Sequence, residues 1–196
     1  DTILENKPKK ILLIEKDIEL VHYLKKKYKN LKNIFIIEED ILNFKLDSFD
    51  NLIIISNLPY NISTKIILYL FEYHNNIQEM IFMIQKEVAD KFNYNLKNMN
   101  KYKFLTKIAC YYSICFNVSP KVFFPIPKVA STLVKFIFKK QSFNLGKAKI
   151  FSNLVFRNVR KKISNNIKIK NFNNNLLNKR INELSIKDLF IIYNSF

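Results

Sequence analysis

The residues with the clearest chemical potential lie in one short stretch, Ser56-Asn57-Leu58-Pro59-Tyr60-Asn61-Ile62-Ser63. This stretch follows an apolar run, Leu52–Ile55, that predicts a buried strand, and it precedes Thr64–Phe71, which predicts a helix. The amide of Asn57 and the ring of Tyr60 would then lie at the carboxyl edge of a sheet, where open α/β folds bind ligands. We therefore predict an enzyme that acts on a nitrogen of a flat base.

Two carboxylates follow the strands predicted nearer the N-terminus. Glu15 ends the apolar run Lys10–Glu15, and Asp40 follows a second predicted strand, Asn33–Ile37. An ionised carboxylate accepts hydrogen bonds from a ribose diol or from the exocyclic amine of an adenine ring. Each acid alone is explained equally well as a helix N-cap or a solvated strand end. Their repetition at successive strand ends favours a nucleoside site.

The elements that would position these side chains alternate between strands and helices. Predicted strands continue at Asn51–Ser56 and Ile81–Ile84, and Asp17 is placed to cap the helix after the first strand. Two further β-rich stretches, Ile114–Val118 and Ser131–Phe138, flank a proline-rich bend and would pair antiparallel as an edge hairpin. This pattern predicts an α/β fold with a doubly wound, mostly parallel sheet.

The rest of the sequence predicts helices. Phe104–Tyr112 has a helical pattern, and Ile150–Ile167 predicts an amphipathic helix that would carry Arg157 and the basic residues after it. Ser185 and Asp188 resemble a capping box for a last short helix. The predicted domains are an α/β domain over residues 1–140 and a small all-helical domain over residues 141–196.

The charge balance is strongly basic. The sequence has 33 Lys and Arg residues against 16 Asp and Glu residues, for a formal net charge of +17. Such an excess favours a polyanionic partner, and RNA, DNA or an anionic membrane surface would satisfy it. Lys, Asn, Ile and Phe dominate throughout, so compositional drift in a genome rich in A and T explains any single lysine about as well.

Cysteine and histidine usage argues against a metal or disulfide protein. Cys110 and Cys115 lie in one apolar segment without metal-ligand spacing, so we expect buried thiols in a reducing cytoplasm. His22 and His74 stand alone, so we expect no metal. No apolar run approaches the roughly 20 residues that a membrane span needs, so we expect no membrane partner.

Several motifs, taken in order, resemble one known family. Asn57-Leu58-Pro59-Tyr60 resembles the catalytic tetrad of the adenine dimethyltransferases of ribosomal RNA, of the small-subunit dimethyladenosine transferase type. The related erythromycin-resistance methylases of the large subunit fit slightly less well. The family's order is kept to about Lys170 by Ile14-Glu15-Lys16-Asp17, Glu39-Asp40-Ile41, Gln85-Lys86-Glu87-Val88 and Phe123-Phe124-Pro125-Ile126-Pro127-Lys128-Val129.

The resemblance implies a fold, a reaction and a set of site residues. The fold would be a Rossmann-like class I methyltransferase sheet, and the reaction would be dimethylation of the exocyclic amine of adenine with S-adenosylmethionine as cofactor. The implied catalytic residues are Asn57, Leu58, Pro59, Tyr60 and Phe123, with Phe124 the less suitable second aromatic. The implied cofactor-binding residues are Glu15, Lys16, Asp40, Ile41 and Asn57. The implied RNA-binding residues are Lys128, Arg157, Arg160, Lys161 and Lys162.

The expected partner is ribosomal RNA or the small-subunit precursor, bound by a monomer in the cytoplasm. A non-catalytic RNA-binding assembly factor, a DNA-binding accessory factor and a large-subunit methylase of the erythromycin-resistance type are the alternatives. The family's Gly-rich first motif has no counterpart here, because the only glycine is Gly146. We expect that motif and the first strand to lie upstream of Asp1, and the cofactor pocket of these 196 residues to be incomplete.

Overall fold

The strands form two sheets in the computed structural model, which describes residues 2–140, 143–170 and 175–196. The chain divides into a first unit, residues 1–48, and a second unit, residues 49–196. In the first unit two parallel strands are joined by a helix, which Asp17 caps by accepting a 3.0 Å hydrogen bond from the Leu20 N–H. Its elements are α1 (Thr2–Glu5), β1 (Ile11–Glu15), α2 (Ile18–Lys27) and β2 (Ile34–Glu38).

The second unit contains a four-stranded sheet in the order β3-β4-β6-β5. β3 and β4 are parallel, whereas β4 with β6 and β6 with β5 are antiparallel. Its elements are β3 (Leu52–Asn57), α3 (Ser63–Phe71), β4 (Ile77–Gln85), α4 (Lys86–Phe92), α5 (Lys101–Ala109), β5 (Cys110–Val118), β6 (Ser131–Phe138), α6 (Leu145–Val155) and α7 (Ile186–Ser195), with short 3-10 helices at Pro120–Val122, Ile163–Asn165, Asn175–Asn178 and Ile181–Glu183.

The predicted α/β class and the edge hairpin are confirmed. β5 and β6 pair antiparallel with Val118 opposite Ser131, and α7 begins with the predicted capping box of Ser185 and Asp188. The predicted helix Phe104–Tyr112 was wrong in its last turn. The backbone of Cys110–Tyr112 pairs with β6 instead, which extends β5 toward the N-terminus.

The prediction that Leu52–Ile55 is a buried strand was wrong on one face. Ile53 and Ile55 are 55% and 51% exposed, while their neighbours Leu52 and Ile54 are half-buried. Successive side chains of a strand point to opposite faces, and β3 is also the edge strand of its sheet. A run of apolar residues in the sequence therefore does not reveal that only one face of the strand is covered.

The predicted helix over Ile150–Ile167 was wrong beyond Val155. α6 ends at Val155, and the side-chain amide of Asn166 donates hydrogen bonds to the carbonyls of Val155 (3.1 Å) and Asn158 (3.0 Å). Asparagine side chains compete with the helical backbone in this way and favour turns. The basic residues from Arg157 onward therefore lie in a loop after α6.

Aromatic side chains form the core of the second unit. Phe71, Phe92 and Phe136 are fully buried with ring centroids 5.7 to 6.5 Å apart, and they join α3 and α4 to β6. Phe104 of α5 contacts Phe151 of α6 at 5.1 Å, so the C-terminal helices pack on α5. The boundary predicted at residues 140/141 falls within this unit and stays a prediction.

The two thiols differ in their surroundings. Cys110 is buried, and burial raises the pKa of its thiol well above the ordinary value. Cys115 is exposed on β5, so the prediction that both thiols are buried was wrong for it. None of the helices in the described part of the chain is long and apolar enough to cross a membrane.

Lys103 closes the loop between α4 and α5. The residue is buried, and its ammonium donates hydrogen bonds to the carbonyls of Leu96 (3.3 Å), Lys97 (2.6 Å) and Asn98 (3.2 Å). Three acceptors satisfy all three N–H bonds of the ammonium group. Desolvation nevertheless lowers the pKa of Lys103 below its ordinary value.

We expect Lys103→Met to lower the free energy of unfolding by about 1–3 kcal/mol, because it leaves three carbonyls without this donor. Urea denaturation would measure the loss, with the exposed Lys140→Met as control. Because the folded-state pKa of Lys103 lies below the unfolded value, the unfolded chain holds this proton more tightly. The advantage of the parent over the variant should therefore grow as the pH rises through the folded-state pKa. An equal loss of unfolding free energy in Lys103→Met and Lys140→Met would contradict this role of Lys103.

Candidate active site

The Asn-Leu-Pro-Tyr motif forms the turn between β3 and α3. Asn57 is the last residue of β3 and its side chain is exposed, whereas the Leu58 side chain is buried. The Leu58 N–H donates a 3.1 Å hydrogen bond to the Met83 carbonyl of the neighbouring strand β4. Pro59 accepts a 3.2 Å bond from the Ile62 N–H at its carbonyl. The turn is thus fixed to the sheet at Leu58 and presents Asn57 to solvent.

The ring of Tyr60 is held from a distant part of the chain. Its hydroxyl lies 2.6 Å from Oγ of Ser131, a residue 71 positions away that is fully buried at the start of β6. The carbonyl of Tyr60 accepts a 3.2 Å bond from Oγ of Ser63, in the first turn of α3. Tyr60 is therefore constrained at both its backbone and its ring tip.

The loop of the β5–β6 hairpin, residues 119–130, carries the second predicted stacking residue. This hairpin loop includes the 3-10 turn Pro120–Val122, and its last residue, Ala130, accepts a 3.0 Å bond from the Lys86 N–H. Phe123 is half-buried, whereas the side chain of Phe124 is fully exposed to solvent. The hydroxyl of Ser131 therefore connects the end of this loop directly to Tyr60.

The first unit brings together the predicted cofactor-binding acids. Glu15 at the end of β1 accepts hydrogen bonds at Oε1 from the N–H groups of Lys16 (2.8 Å) and Asp17 (2.9 Å). The Glu15 carbonyl accepts a 3.1 Å bond from Glu39, the residue before Asp40. Parallel pairing of β1 with β2 thus places Glu15 and Asp40 at the same edge of their sheet, as predicted.

Asp40 and Lys16 form an ion pair at that edge. Oδ2 of Asp40 lies 3.6 Å from Nζ of Lys16, and its Oδ1 accepts a 2.9 Å bond from the Leu42 N–H. The half-buried Ile41 adds an apolar side chain beside them. A carboxylate has room for several donors, so these acids fit the hydroxyl and amine donors of a nucleoside. The described residues contain no group of three or more His, Cys, Asp or Glu side chains that could hold a metal ion.

The predicted RNA-binding residues after α6 lie at two places. Arg157 lines a cleft of about 310 Å³ together with Lys101 of α5 and the apolar side chains of Phe156 and Val159. Lys162 forms an isolated antiparallel bridge with Arg180, which brings a further arginine beside the exposed Arg160, Lys161 and Lys162. Arg157 therefore lies with Lys101, whereas Lys162 lies with Arg180, and none of the predicted cations after Val155 belongs to α6. Lys128 is exposed in the hairpin loop.

Comparison with known proteins identifies the family. A sequence profile described as ribosomal RNA adenine dimethylase matches residues 2–195. The chain belongs to the ribosomal RNA adenine dimethylase family. It is 38% identical over 205 residues to the ribosomal RNA small subunit methyltransferase A of Buchnera aphidicola, spanning 94% of this chain and 76% of the relative. The corresponding protein of a Hydrogenobaculum species is 35% identical over 198 residues, spanning 98% and 75%.

Two solved structures share the fold of this adenine dimethylase. A dimethyladenosine transferase from Plasmodium falciparum superposes with a TM-score of 0.76 at 23% identity, spanning 95% of this chain and 82% of that one. The 23S rRNA methyltransferase ErmE superposes with a TM-score of 0.73 at 17% identity, spanning 95% and 81%. The predicted family, fold and enzyme class are thus confirmed. The chain is an rRNA adenine dimethyltransferase, and the cofactor of this methyltransferase family is S-adenosylmethionine.

Sequence reasoning missed the residues that hold the site together. Ser131 begins a β-rich stretch, and a serine at a strand end carries no chemical signal of its own. Arg180 and Lys101 lie far in the sequence from residues 157–162 and meet those cations only through tertiary structure. Asn166 belongs to an Asn-rich segment in which no single asparagine stands out.

Proposed function

We propose that this protein dimethylates the exocyclic amine of adenines in small-subunit ribosomal RNA and so contributes to ribosome biogenesis. The observation that carries the proposal is the Asn57-Leu58-Pro59-Tyr60 turn at the carboxyl end of β3, in a chain that matches the adenine dimethylase family over residues 2–195. The names of the two relatives support the small subunit as the target. We place the enzyme in the cytoplasm, since its free thiols suit a reducing compartment. We also propose that it acts as a monomer.

The amide of Asn57 and the carbonyl of Leu58 activate the target nitrogen in this proposal. The exocyclic nitrogen of adenine is a poor nucleophile because its lone pair is delocalised into the ring. Oδ1 of Asn57 and the carbonyl oxygen of Leu58 would each accept a hydrogen bond from one N–H of the amine and so pull the nitrogen toward tetrahedral geometry. The bond from Leu58 to Met83 fixes the backbone from which both acceptors project, and Pro59 stiffens it further.

Tyr60 and Phe123 hold the two faces of the adenine ring. Chemistry on a base requires that it leave its stack, and aromatic side chains replace part of the lost stacking. The bond from Tyr60 to Ser131 supports this role, because it fixes one ring before the base arrives. A ring already held in place loses less side-chain entropy on binding.

Glu15 and Asp40 hold the nucleoside part of the cofactor, with Lys16 and Ile41 as its further contacts. The carboxylate of Glu15 would accept the ribose hydroxyls, and that of Asp40 would accept the adenine amine. The backbone bonds to Glu15 support this assignment, because they orient its carboxylate. When bound, S-adenosylmethionine supplies the methyl group.

The cations Lys128, Arg157, Arg160, Lys161 and Lys162 bind phosphates of the RNA. We expect Arg160→Gln and Lys161→Gln each to weaken RNA binding for every sequence tested. Each should also lower the slope of log affinity against log salt concentration by about one, since one phosphate contact is lost. Fluorescence anisotropy over a salt series measures this slope, with the exposed Lys187→Gln of α7 as control. An unchanged slope would remove that residue from the interface.

Mass spectrometry of small-subunit rRNA tests the proposed function. Cells that lack the gene should lose the dimethyl marks from two adjacent adenines, and the gene encoding this chain should restore them at its own locus. Marks that persist without the gene would overturn the enzyme assignment. Loss of marks from large-subunit rRNA alone would favour the erythromycin-resistance type instead.

A further inference from the structure

The hairpin loop exposes a cluster of large apolar side chains. Phe124 is 101% exposed, Val122 is 69% exposed and Ile126 is 66% exposed, all within five consecutive residues. Large apolar side chains scattered singly on a surface are ordinary, but a contiguous group marks an interaction site. Exposed lysines, Lys121 and Lys128, flank the group on both sides.

The loop is fixed at both ends and stiffened within. Val118 and Ser131 pair across the hairpin at its base, and Ser119 caps the 3-10 turn by accepting a 3.3 Å bond from the Lys121 N–H. Pro120, Pro125 and Pro127 restrict the backbone between these anchors. A restricted loop loses little conformational entropy when it binds, so its exposed side chains are presented ready for contact.

The position of the loop identifies what it touches. Its C-terminal anchor, Ser131, bonds to the Tyr60 hydroxyl at 2.6 Å, so the loop emerges beside the ring to which we assign the target adenine. Phe123, half-buried, covers that base, while Phe124 next to it has no such task. When an adenine leaves its stack, a gap opens in the RNA, and proteins fill such gaps with apolar wedges of Phe, Ile or Pro.

We propose that Phe124, supported by Val122 and Ile126, is a wedge that enters the RNA stack where the target adenine has left it, while Lys121 and Lys128 bind the phosphates on either side. The proposal rests on the proposed function. It assigns different tasks to two adjacent aromatic residues, with Phe123 on the extracted base and Phe124 on the bases left behind. The positive charges beside the apolar side chains favour nucleic acid over a protein partner.

Two RNAs that differ only in stacking test the wedge. One is a hairpin in which two adjacent adenines are stacked on a helix, and the other is an unstructured strand with the same loop sequence. In each, one adenine is replaced by 2-aminopurine, whose fluorescence increases when it leaves the stack. Binding of the full chain is measured by anisotropy, and base extraction by 2-aminopurine fluorescence.

We expect Phe124→Ala to weaken binding to the hairpin roughly tenfold and to suppress the fluorescence increase, with less than about a twofold effect on the unstructured strand. Phe124→Trp should retain both properties because it keeps a flat apolar side chain. The matched control is Phe116→Ala, which removes a 58% exposed phenylalanine from β5. This variant should bind both RNAs as the parent does and should give the same fluorescence increase. Thermal melting of each variant would verify that it folds. Because Phe124 is fully exposed, its replacement should not change the melting temperature.

If Phe124→Ala lost the same binding affinity for both RNAs, or lost none for either, the proposed wedge would be overturned. Its failure is distinguishable from failure of the proposed function. If rRNA marks depend on the gene but Phe124→Ala binds the hairpin like the parent, only the wedge is wrong. If the marks persist without the gene, the proposed function itself is wrong.

Discussion

Cells whose gene encodes Asn57→Ala should lose the dimethyl marks that the parent gene places on small-subunit rRNA. The substitution removes the side-chain acceptor at the end of β3 while leaving the backbone bond from Leu58 to Met83 in place. Removing one preorganised polar group from an active site costs about 10²–10³ in rate. Because Asn57 is exposed, the change creates no cavity and should not affect folding.

The same mass spectrometry of rRNA measures this effect, with Asn182→Ala as the matched control. Asn182 is an exposed asparagine of the same unit that lies outside the proposed site. Full marks in cells with Asn182→Ala and none with Asn57→Ala would establish the amide as essential. Normal marks with Asn57→Ala would show that the carbonyl of Leu58 suffices without it.

Tyr60→Ala should slow methylation by roughly 10- to 100-fold, since stacking on one base contributes about 1–3 kcal/mol. Tyr60→Phe keeps the ring and removes only the hydroxyl that contacts Ser131 at 2.6 Å. It should cost about 2- to 10-fold, the range of a single hydrogen bond. Ser131→Ala should have an effect of the same size, because it removes the other partner of that bond.

A double-mutant cycle separates positioning of the ring from other roles of Ser131. The rate at which marks appear after induction of each variant gene is the quantity to compare. Once Tyr60→Phe is present, Ser131→Ala should add little, because the bond is already broken. Ser152→Ala is the control, since Ser152 is also fully buried but bonds to Lys149 within α6. Additive effects of the two substitutions would mean that Ser131 does not act through Tyr60.

Local patterns in the sequence predicted most of the strands. The strand ending at Glu15 and the strand Ser131–Phe138 were placed within one residue, because apolar runs and turn signals bound them clearly. The prediction for residues 150–167 failed because a helical apolar period continues past the true end of α6. The amide of Asn166 bonds to carbonyls at and beyond the end of that helix, and a side-chain contact of this kind has no periodic signature.

The same difference between local sequence signals and distant contacts applies to the candidate site. Asn57 and Tyr60 could be proposed from the sequence because their residue types are unusual at the junction of a strand and a helix, and the structure places them at such a junction. Ser131 was not found, because its role depends on a contact with a residue 71 positions away. The exposure of Phe124 beside the half-buried Phe123 was likewise invisible, since the two adjacent phenylalanines are chemically identical.

The strand order of the second unit also determines when the site can form during synthesis. β6 lies between β4 and β5, and its first residue, Ser131, bonds to Tyr60. A ribosome therefore completes Asn57 and Tyr60 long before the partner that orients the tyrosine ring has been made. Pairings between distant segments form late in folding because loop closure must precede them. A nascent chain of this enzyme consequently cannot form the bond that holds the Tyr60 ring until Ser131, at the start of β6, has been translated.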